Sequence, residues 1–114
     1  MKKILISTGG SGGHVIPATV LFDHYKENFE TFLTTDKRGE KYIDQKKYVY
    51  DIIDVPKLSG NIFKLPFNLI FFLFSFFKSL IYLKKHDIEY LFSTGGYMSA
   101  VFCIAAKILN VKIF

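Results

Sequence analysis

Short apolar runs alternate with longer amphipathic ones along this chain, which predicts a βαβα order: a parallel sheet with helices on both faces. Lys3–Ser7 has the length and composition of a buried first strand. From Val15 to about Asn28 the spacing predicts a helix, with Leu21 and Tyr25 on one face. A second strand is expected over Thr31–Thr35, a second helix over Lys37–Gln45, and a third strand over Tyr48–Val55, closed by Pro56. Lys57–Asn61 predicts a loop, in which Ser59 or Asn61 is available to cap the next helix. That long helix is expected over Asn61–Lys85, then a fourth strand over Asp87–Ser93. Ala100–Leu109 predicts a helix rich in small residues, ended by Asn110, and Val111 opens a fifth strand.

The long helix has an unusual balance. At about 100° per residue, Asn61, Lys64, Asn68, Ser75, Lys78, Ser79 and Tyr82 fall in one stripe roughly 100° wide, and the remaining surface is apolar. A helix lying on a sheet needs only about a third of its circumference apolar, so the excess must meet something else. A transmembrane span, a membrane-surface patch and a subunit interface compete for it. A span takes about 20 apolar residues. The longest charge-free run, Leu65–Phe77, has 13 and includes Pro66 and Asn68. The peripheral patch is favoured, with Phe63, Phe67, Phe71 and Phe74 dipping into lipid and Lys64, Lys78, Lys84 and Lys85 meeting anionic headgroups.

Charge strengthens that preference. The chain carries 15 basic and 10 acidic residues, a net charge of +5, which suits an anionic partner. No acid lies between Asp54 and Asp87, where Lys57, Lys64, Lys78, Lys84 and Lys85 all fall. The excess therefore sits in an apolar segment, which favours an anionic membrane surface over nucleic acid. The 114 residues suffice for one domain and fall short of a complete two-substrate transferase. Cys103 is the only cysteine, which excludes an intrachain disulfide and a Cys-based zinc site and suits a reduced, cytoplasmic setting. The apolar run that begins the chain reaches only Ile6, too short for a signal peptide.

The candidate chemistry lies at two strand-to-helix junctions. The first, Ser7–Ala18, places Gly9, Gly10, Gly12 and Gly13 between a strand and a helix expected to begin near Val15, with Pro17 in its first turn. Glycine lets backbone N–H groups approach a ligand, and a helix start turns its unpaired amides and positive dipole end toward an anion. A glycine-rich turn without a ligand is the alternative. The second junction is Thr94–Ala100, with Gly95 and Gly96. In a parallel sheet both loops leave from the carboxyl edge, and two such cradles at one edge suit a diphosphate. A dinucleotide fingerprint counted from Gly10 needs glycine where Val15 stands, and no Gly-Lys-Ser/Thr occurs to make a Walker loop. Asp36, after the second strand, is accordingly expected to be a turn or N-cap residue and not a ribose ligand.

Gly9–Ala18 resembles the first glycine loop of the MurG family, the family-28 glycosyltransferases of peptidoglycan synthesis. Gly95–Ser99 resembles that family's second glycine loop, and Ala105, Ala106, Leu109 and Val111 its following helix and strand. The resemblance implies a Rossmann-like α/β fold over residues 1–114, the acceptor-binding N-terminal half of a two-domain GT-B enzyme, with the C-terminal donor domain absent. It implies inverting transfer of GlcNAc from UDP-GlcNAc to undecaprenyl-diphosphate-MurNAc-pentapeptide, lipid I to lipid II, at the cytoplasmic face of the inner membrane. A peripheral patch near the long helix meets the bilayer in that family. No metal or cofactor is implied, and no Asp-x-Asp motif occurs. By residue, the resemblance sets Ser11, Gly12 and Gly13 against the donor sugar nucleotide, and Gly10, His14, Gly95, Gly96 and Tyr97 around the acceptor diphosphate. His14 is the candidate base, with a plain hydrogen-bonding role at the helix start as its alternative. His24 and His86 are expected at the surface without partners.

Because the donor domain is absent, an alternative function is a noncatalytic membrane-anchoring half that recruits a separate UDP-GlcNAc-binding subunit, as in the split transferase of dolichol-linked GlcNAc transfer. A nucleotide-binding oxidoreductase is a third reading, opposed by the glycine spacing.

Overall fold

A computed structural model describes residues 2–10, 12–53, 65–95 and 97–114, without the side chains at 65, 68 and 97–99. Ser11, Gly96, Phe63, Lys64 and the expected Lys57–Asn61 loop with its caps lie outside the described residues.

The elements run β1 (Lys3–Ser7), α1 (Gly12–Tyr25), β2 (Glu30–Thr35), α2 (Lys37–Glu40), β3 (Asp51–Ile52), α3 (Leu65–Lys85), β4 (Tyr90–Ser93), α4 (Tyr97–Ile108) and β5 (Lys112–Ile113). The strands form one five-stranded sheet in the order β3-β2-β1-β4-β5, every pair parallel. The expected α/β architecture is thus present, with β1 central.

Register explains the two layers. Leu5 sits beside Phe32 and Leu91, and Ile6 beside Leu33 and Phe92. Parallel neighbours in register share a face of the sheet, and successive residues alternate faces. The Leu5 face packs with Leu83 of α3 and Phe102, Ala105 and Ala106 of α4, while the Ile6 face packs with Val15 and Ala18 of α1. Leu5, Ile6, Leu91, Val15 and Phe102 are fully buried, as expected of a parallel sheet covered on both sides.

Several boundaries depart from the sequence expectation. Helix α1 begins at Gly12, so Gly13 and His14 lie in its first turn and Pro17 in its second. Pro17 cannot donate to the carbonyl of Gly13 four residues back, and that turn is tolerated where Gly13 and Pro17 face solvent. Helix α2 stops at Glu40 instead of running to Gln45, continuing only as turns bonded Tyr42 N to Gly39 O and Ile43 N to Glu40 O. Strand β3 (Asp51–Ile52) begins three residues later than expected because Tyr48 turns inward, donating to Asp23 of α1 at 2.6 Å and meeting Phe22 edge-on; the expected end of that strand at Val55 and Pro56 lies outside the described residues. Strand β4 starts at Tyr90, after Asp87 takes a positive φ of 51° beyond α3. Helix α4 starts at Tyr97, and Asn110 comes after it with φ 58°, in line with its expected role as the stop.

Helix α3 divides its expected polar stripe. Ser75, Ser79 and Tyr82 are buried, whereas Lys78 is exposed. The buried hydroxyls stay satisfied inside: Ser75 Oγ donates to the Phe71 carbonyl at 3.1 Å and Ser79 Oγ to the Ser75 carbonyl at 2.9 Å. Small side chains at these buried positions suit the close approach of α3 to α4. The opposite side carries Ile70, Phe74, Phe77 and Ile81, between 51% and 63% exposed. The described residues from Pro66 to Phe74 are exposed apart from half-buried Phe72. Since α3 leaves β3 and returns to the start of β4, this unpacked half points toward the sheet's carboxyl edge. Among the described residues no helix is long and apolar enough to cross a membrane.

His24 is exposed as expected, though its ring meets Tyr25 with centroids 5.0 Å apart, and His86 is not partnerless either. It packs against Tyr82 and Phe32 with ring centroids 4.4 and 4.8 Å away.

Candidate functional site

The carboxyl ends of β1, β2 and β4 carry Ser7, Thr34 and Ser93 in register. Thr8 N continues the ladder to Thr34 O at 3.0 Å, and Thr94 N to Ser7 O at 3.1 Å. The Thr94 hydroxyl then donates to the Thr8 hydroxyl at 2.7 Å, joining the two glycine loops at their roots. Short side chains suit this edge, since they bring the backbone loops close, and the Thr94–Thr8 bond holds them there.

The first loop is braced from below by Asp36, a buried residue. Its Oδ1 accepts from Gly39 N at 2.8 Å, as the N-cap of α2, and from Gly10 N at 3.0 Å. A Cβ on Gly9 would lie 2.8 Å from the Asp36 carboxyl carbon, so only glycine admits the carboxylate here. Gly10 itself has φ +82°, a conformation that L side chains rarely adopt. The expected cap role of Asp36 therefore holds, with an added one: it fixes the Gly9–Gly10 turn and occupies Gly10's amide. The spacing carries no signal of this contact across 26 residues.

Gly12 opens α1 beneath the Tyr42 ring, 3.1 Å from where a Cβ would stand. Two turns of sequence-remote chain, Asp36 and Tyr42, thus shape this loop, and neither spacing nor composition marks Tyr42. His14 bridges to the second loop. Its Nδ1 lies 3.3 Å from the Gly9 carbonyl, which can only accept, so that bond places the proton on Nδ1 and leaves Nε2 as the acceptor of the neutral ring. The Nε2 edge faces Gly95, where a Cβ would lie 3.0 Å away, and Gly95 has φ +123°.

The sequence-expected residues Gly10, Gly12, Gly13, His14 and Gly95 therefore gather at one edge, with the backbone of Tyr97 opening α4 beside them. Ser11 and Gly96 lie outside the described residues, as does the Tyr97 side chain. Among the described residues no cluster of three or more His, Cys, Asp or Glu side chains is arranged to hold a metal ion. Phe67, Phe71, Phe74, Lys78, Lys84 and Lys85 lie together on α3 and are exposed, whereas Phe63 and Lys64 lie outside the described residues. A groove of about 510 Å³ opens at the opposite, amino edge of the sheet, lined by Leu83, Lys84, Asp87, Ile88, Glu89, Leu109 and Val111. It includes none of the glycine-loop residues.

Comparison with known proteins bears on the fold and the family. The chain is 48% identical over 112 residues to the UDP-N-acetylglucosamine--N-acetylmuramyl-(pentapeptide) pyrophosphoryl-undecaprenol N-acetylglucosamine transferase of Pelagibacter ubique, covering 98% of this chain and 32% of that protein. It is 32% identical over 114 residues to the same-named enzyme of Prochlorococcus marinus, again covering 32% of the relative. The chain thus spans about a third of the length of the curated relatives it matches. In fold it resembles the crystal structure of Acinetobacter baumannii MurG, with a TM-score of 0.79 at 20% identity over 99% of this chain and 34% of that one. A UDP-N-acetylglucosamine 2-epimerase matches at a TM-score of 0.65 and 15% identity, over 99% of this chain and 31% of that one. The profile of the glycosyltransferase family 28 N-terminal domain matches residues 4–114, and the chain belongs to that family.

Proposed function

We propose that this chain forms the acceptor side of a GlcNAc transferase that moves the sugar from UDP-GlcNAc to a MurNAc-pentapeptide carried on undecaprenyl diphosphate. One observation carries the reading: two glycine loops, joined by the Thr8–Thr94 hydroxyl bond and bridged by His14, open at the edge toward which the apolar half of α3 points. A lipid-linked diphosphate needs such a pairing, since its head must reach backbone amides while its tail stays in lipid. The identity to the Pelagibacter and Prochlorococcus enzymes supports the same reaction.

In this reading the acceptor diphosphate lies between the start of α1 and the second loop, against His14, Gly95, Gly96 and Tyr97. Gly10 contributes its turn, because its amide is held by Asp36. Ser11, Gly12 and Gly13 face the sugar nucleotide, which a donor-binding region beyond this chain holds. His14 accepts the proton of the attacking hydroxyl at Nε2 while Nδ1–H stays on the Gly9 carbonyl. The exposed phenylalanines of α3 enter the bilayer peripherally, and Lys78, Lys84 and Lys85 meet anionic lipid at the cytoplasmic face of the inner membrane.

The test joins this chain to the C-terminal two-thirds of the Pelagibacter relative and measures GlcNAc transfer from UDP-GlcNAc to the lipid-linked acceptor. Transfer by the fusion, none by this chain alone, and a loss of about a hundredfold or more in His14→Ala are expected. A folded fusion that binds UDP-GlcNAc and transfers nothing to any polyprenyl-diphosphate sugar overturns the reading.

A further inference from the structure

Between the edge strand β3 and the C-terminal half of α3 runs a groove of about 340 Å³ that the sequence did not reveal, lined by Asp51, Ile52, Ile53, Lys78, Ile81, Tyr82, Lys85 and His86. This is within the size of small-ligand clefts, and its chemistry is divided. Lys78 and Lys85 are seven residues apart, about two helical turns, and so stand on the same side of α3. Neither has an ion-pair partner among the described residues. Asp51, the groove's carboxylate, accepts instead from the Tyr82 hydroxyl at 2.9 Å. The Ile52–Ile53 side and Ile81 supply apolar walls, and Ile81 continues directly into the exposed row Phe77, Phe74 and Ile70.

A cationic mouth beside an apolar track fits a ligand with one anionic group and an aliphatic tail. We infer that this groove is a headgroup site for an anionic glycerophospholipid, whose phosphate sits between Lys78 and Lys85 and whose acyl chains lie along Ile81, Phe77 and Phe74. Charge selects the occupant: among the described residues lining the groove, two ammonium groups outweigh one carboxylate, and His86 adds a donor at the same mouth. Lys84 lies on the other flank of the apolar face, where it lines the separate amino-edge groove. A diffuse electrostatic attraction would use Lys84 equally; a built site would not. The inference rests on the peripheral membrane reading and adds to it a defined lipid seat, distinct from the glycine loops.

The decisive probe is a short-chain lipid, dihexanoylphosphatidylglycerol, kept below its micelle concentration so that no bilayer is needed. Titrated into the isotope-labelled chain, it is expected to shift the NMR signals of Asp51–Ile53 and Ile81–His86. The double variant Lys78→Gln/Lys85→Gln is expected to weaken binding about tenfold or more, while Lys84→Gln, at a lysine that meets the bilayer from outside this groove, lowers vesicle binding and leaves the bilayer-free binding unchanged. Glycerol phosphate, which has the anion without chains, is expected to bind at least about tenfold more weakly than the lipid. Shifts spread over the protein, equal losses in the double and Lys84 variants, or glycerol phosphate binding as tightly as the lipid would each overturn the site. Vesicles of phosphatidylcholine with added phosphatidylglycerol separate the two proposals. Vesicle binding without groove shifts removes the lipid seat and keeps membrane docking; groove shifts without vesicle binding do the reverse. These lysines are exposed, so the variants are expected to fold, and an unchanged Tm checks it.

Discussion

The two sides of α3 depart from the usual arrangement of a surface helix, because Ser75 and Ser79 share the packed side with Phe76, Leu80 and Leu83. Ordinarily the large apolar residues face the core and the hydroxyl-bearing ones face water. Here Ser75 and Ser79 are packed inside, and Phe67, Phe71, Phe74 and Phe77 face out. The inner side is selected for close approach to α4, where a small side chain with a satisfied hydroxyl costs little. The outer side is free of that packing constraint, and its size and greasiness answer to different surroundings. A helix can therefore have one face that serves the fold and another that serves a partner, and only the first is tested by stability.

That separation is breakable. Replacing Phe74 and Phe77 together by serine is expected to weaken vesicle binding by about 3 to 6 kcal/mol, the worth of two buried phenylalanines, while stability changes by less than about 0.5 kcal/mol. Vesicle co-sedimentation and thermal unfolding on the same variant measure both; equal losses would show that the outer face also holds the fold. The mirror experiment is Ser79→Phe, which puts a large ring where a fully buried serine sits. It is expected to cost about 3 kcal/mol or more in chemical denaturation.

The first glycine loop repeats the contrast on a smaller scale, with a buried carboxylate beneath and exposed Gly13 above. Asp36→Ala strips the acceptor from two backbone amides and is expected to destabilise by about 1 to 3 kcal/mol. Asp36→Asn, which keeps an acceptor oxygen, is expected to recover most of that loss. Faster hydrogen exchange at the Gly10 and Gly39 amides in the alanine variant is the accompanying signature.

The smallest effect concerns Tyr82. Burial, reinforced by the neighbouring Asp51 carboxylate, holds its hydroxyl well above the usual tyrosine range. Its unfolded form ionises near pH ~10, so the folded chain binds the proton more tightly. The resulting stability is complete below that pH and is lost as pH rises further. Wild type is expected to lose stability between about pH 10 and 12 more steeply than Tyr82→Phe, as measured by denaturant titration at each pH.

Much of the fold was legible in the chain because it rests on local pattern. The run Lys3–Ser7 is bounded by polar residues, and the excess apolar surface of α3 comes from its composition alone. The orientation of α3 was not legible, because periodicity groups residues into faces without saying which face the sheet will take. Ser75 and Ser79 read as a polar side by chemistry and act as a packing side by volume. The helix starts were misplaced by three residues at both α1 and α4, since glycine has poor helix propensity and the first turn is held by tertiary contacts such as Tyr42 over Gly12. At the site, the glycines and His14 announced themselves by spacing. Asp36 beneath Gly10, Thr8 with Thr94, and the groove behind Lys78 and Lys85 all join residues far apart in sequence, and no local rule could find them.

Helix α3 is 21 residues long, and among its described residues the buried positions begin at Ser75. Its first part of about ten residues is a rigid post some 15 Å tall, standing on the side of the sheet where the glycine loops open. If that post rests in lipid, the distance between the bilayer and the two loops is set by a count of helical turns, and not by the slack of a tether. Inserting or deleting one turn would then change which atoms of a lipid-borne head reach the loops, with every residue of the site left in place.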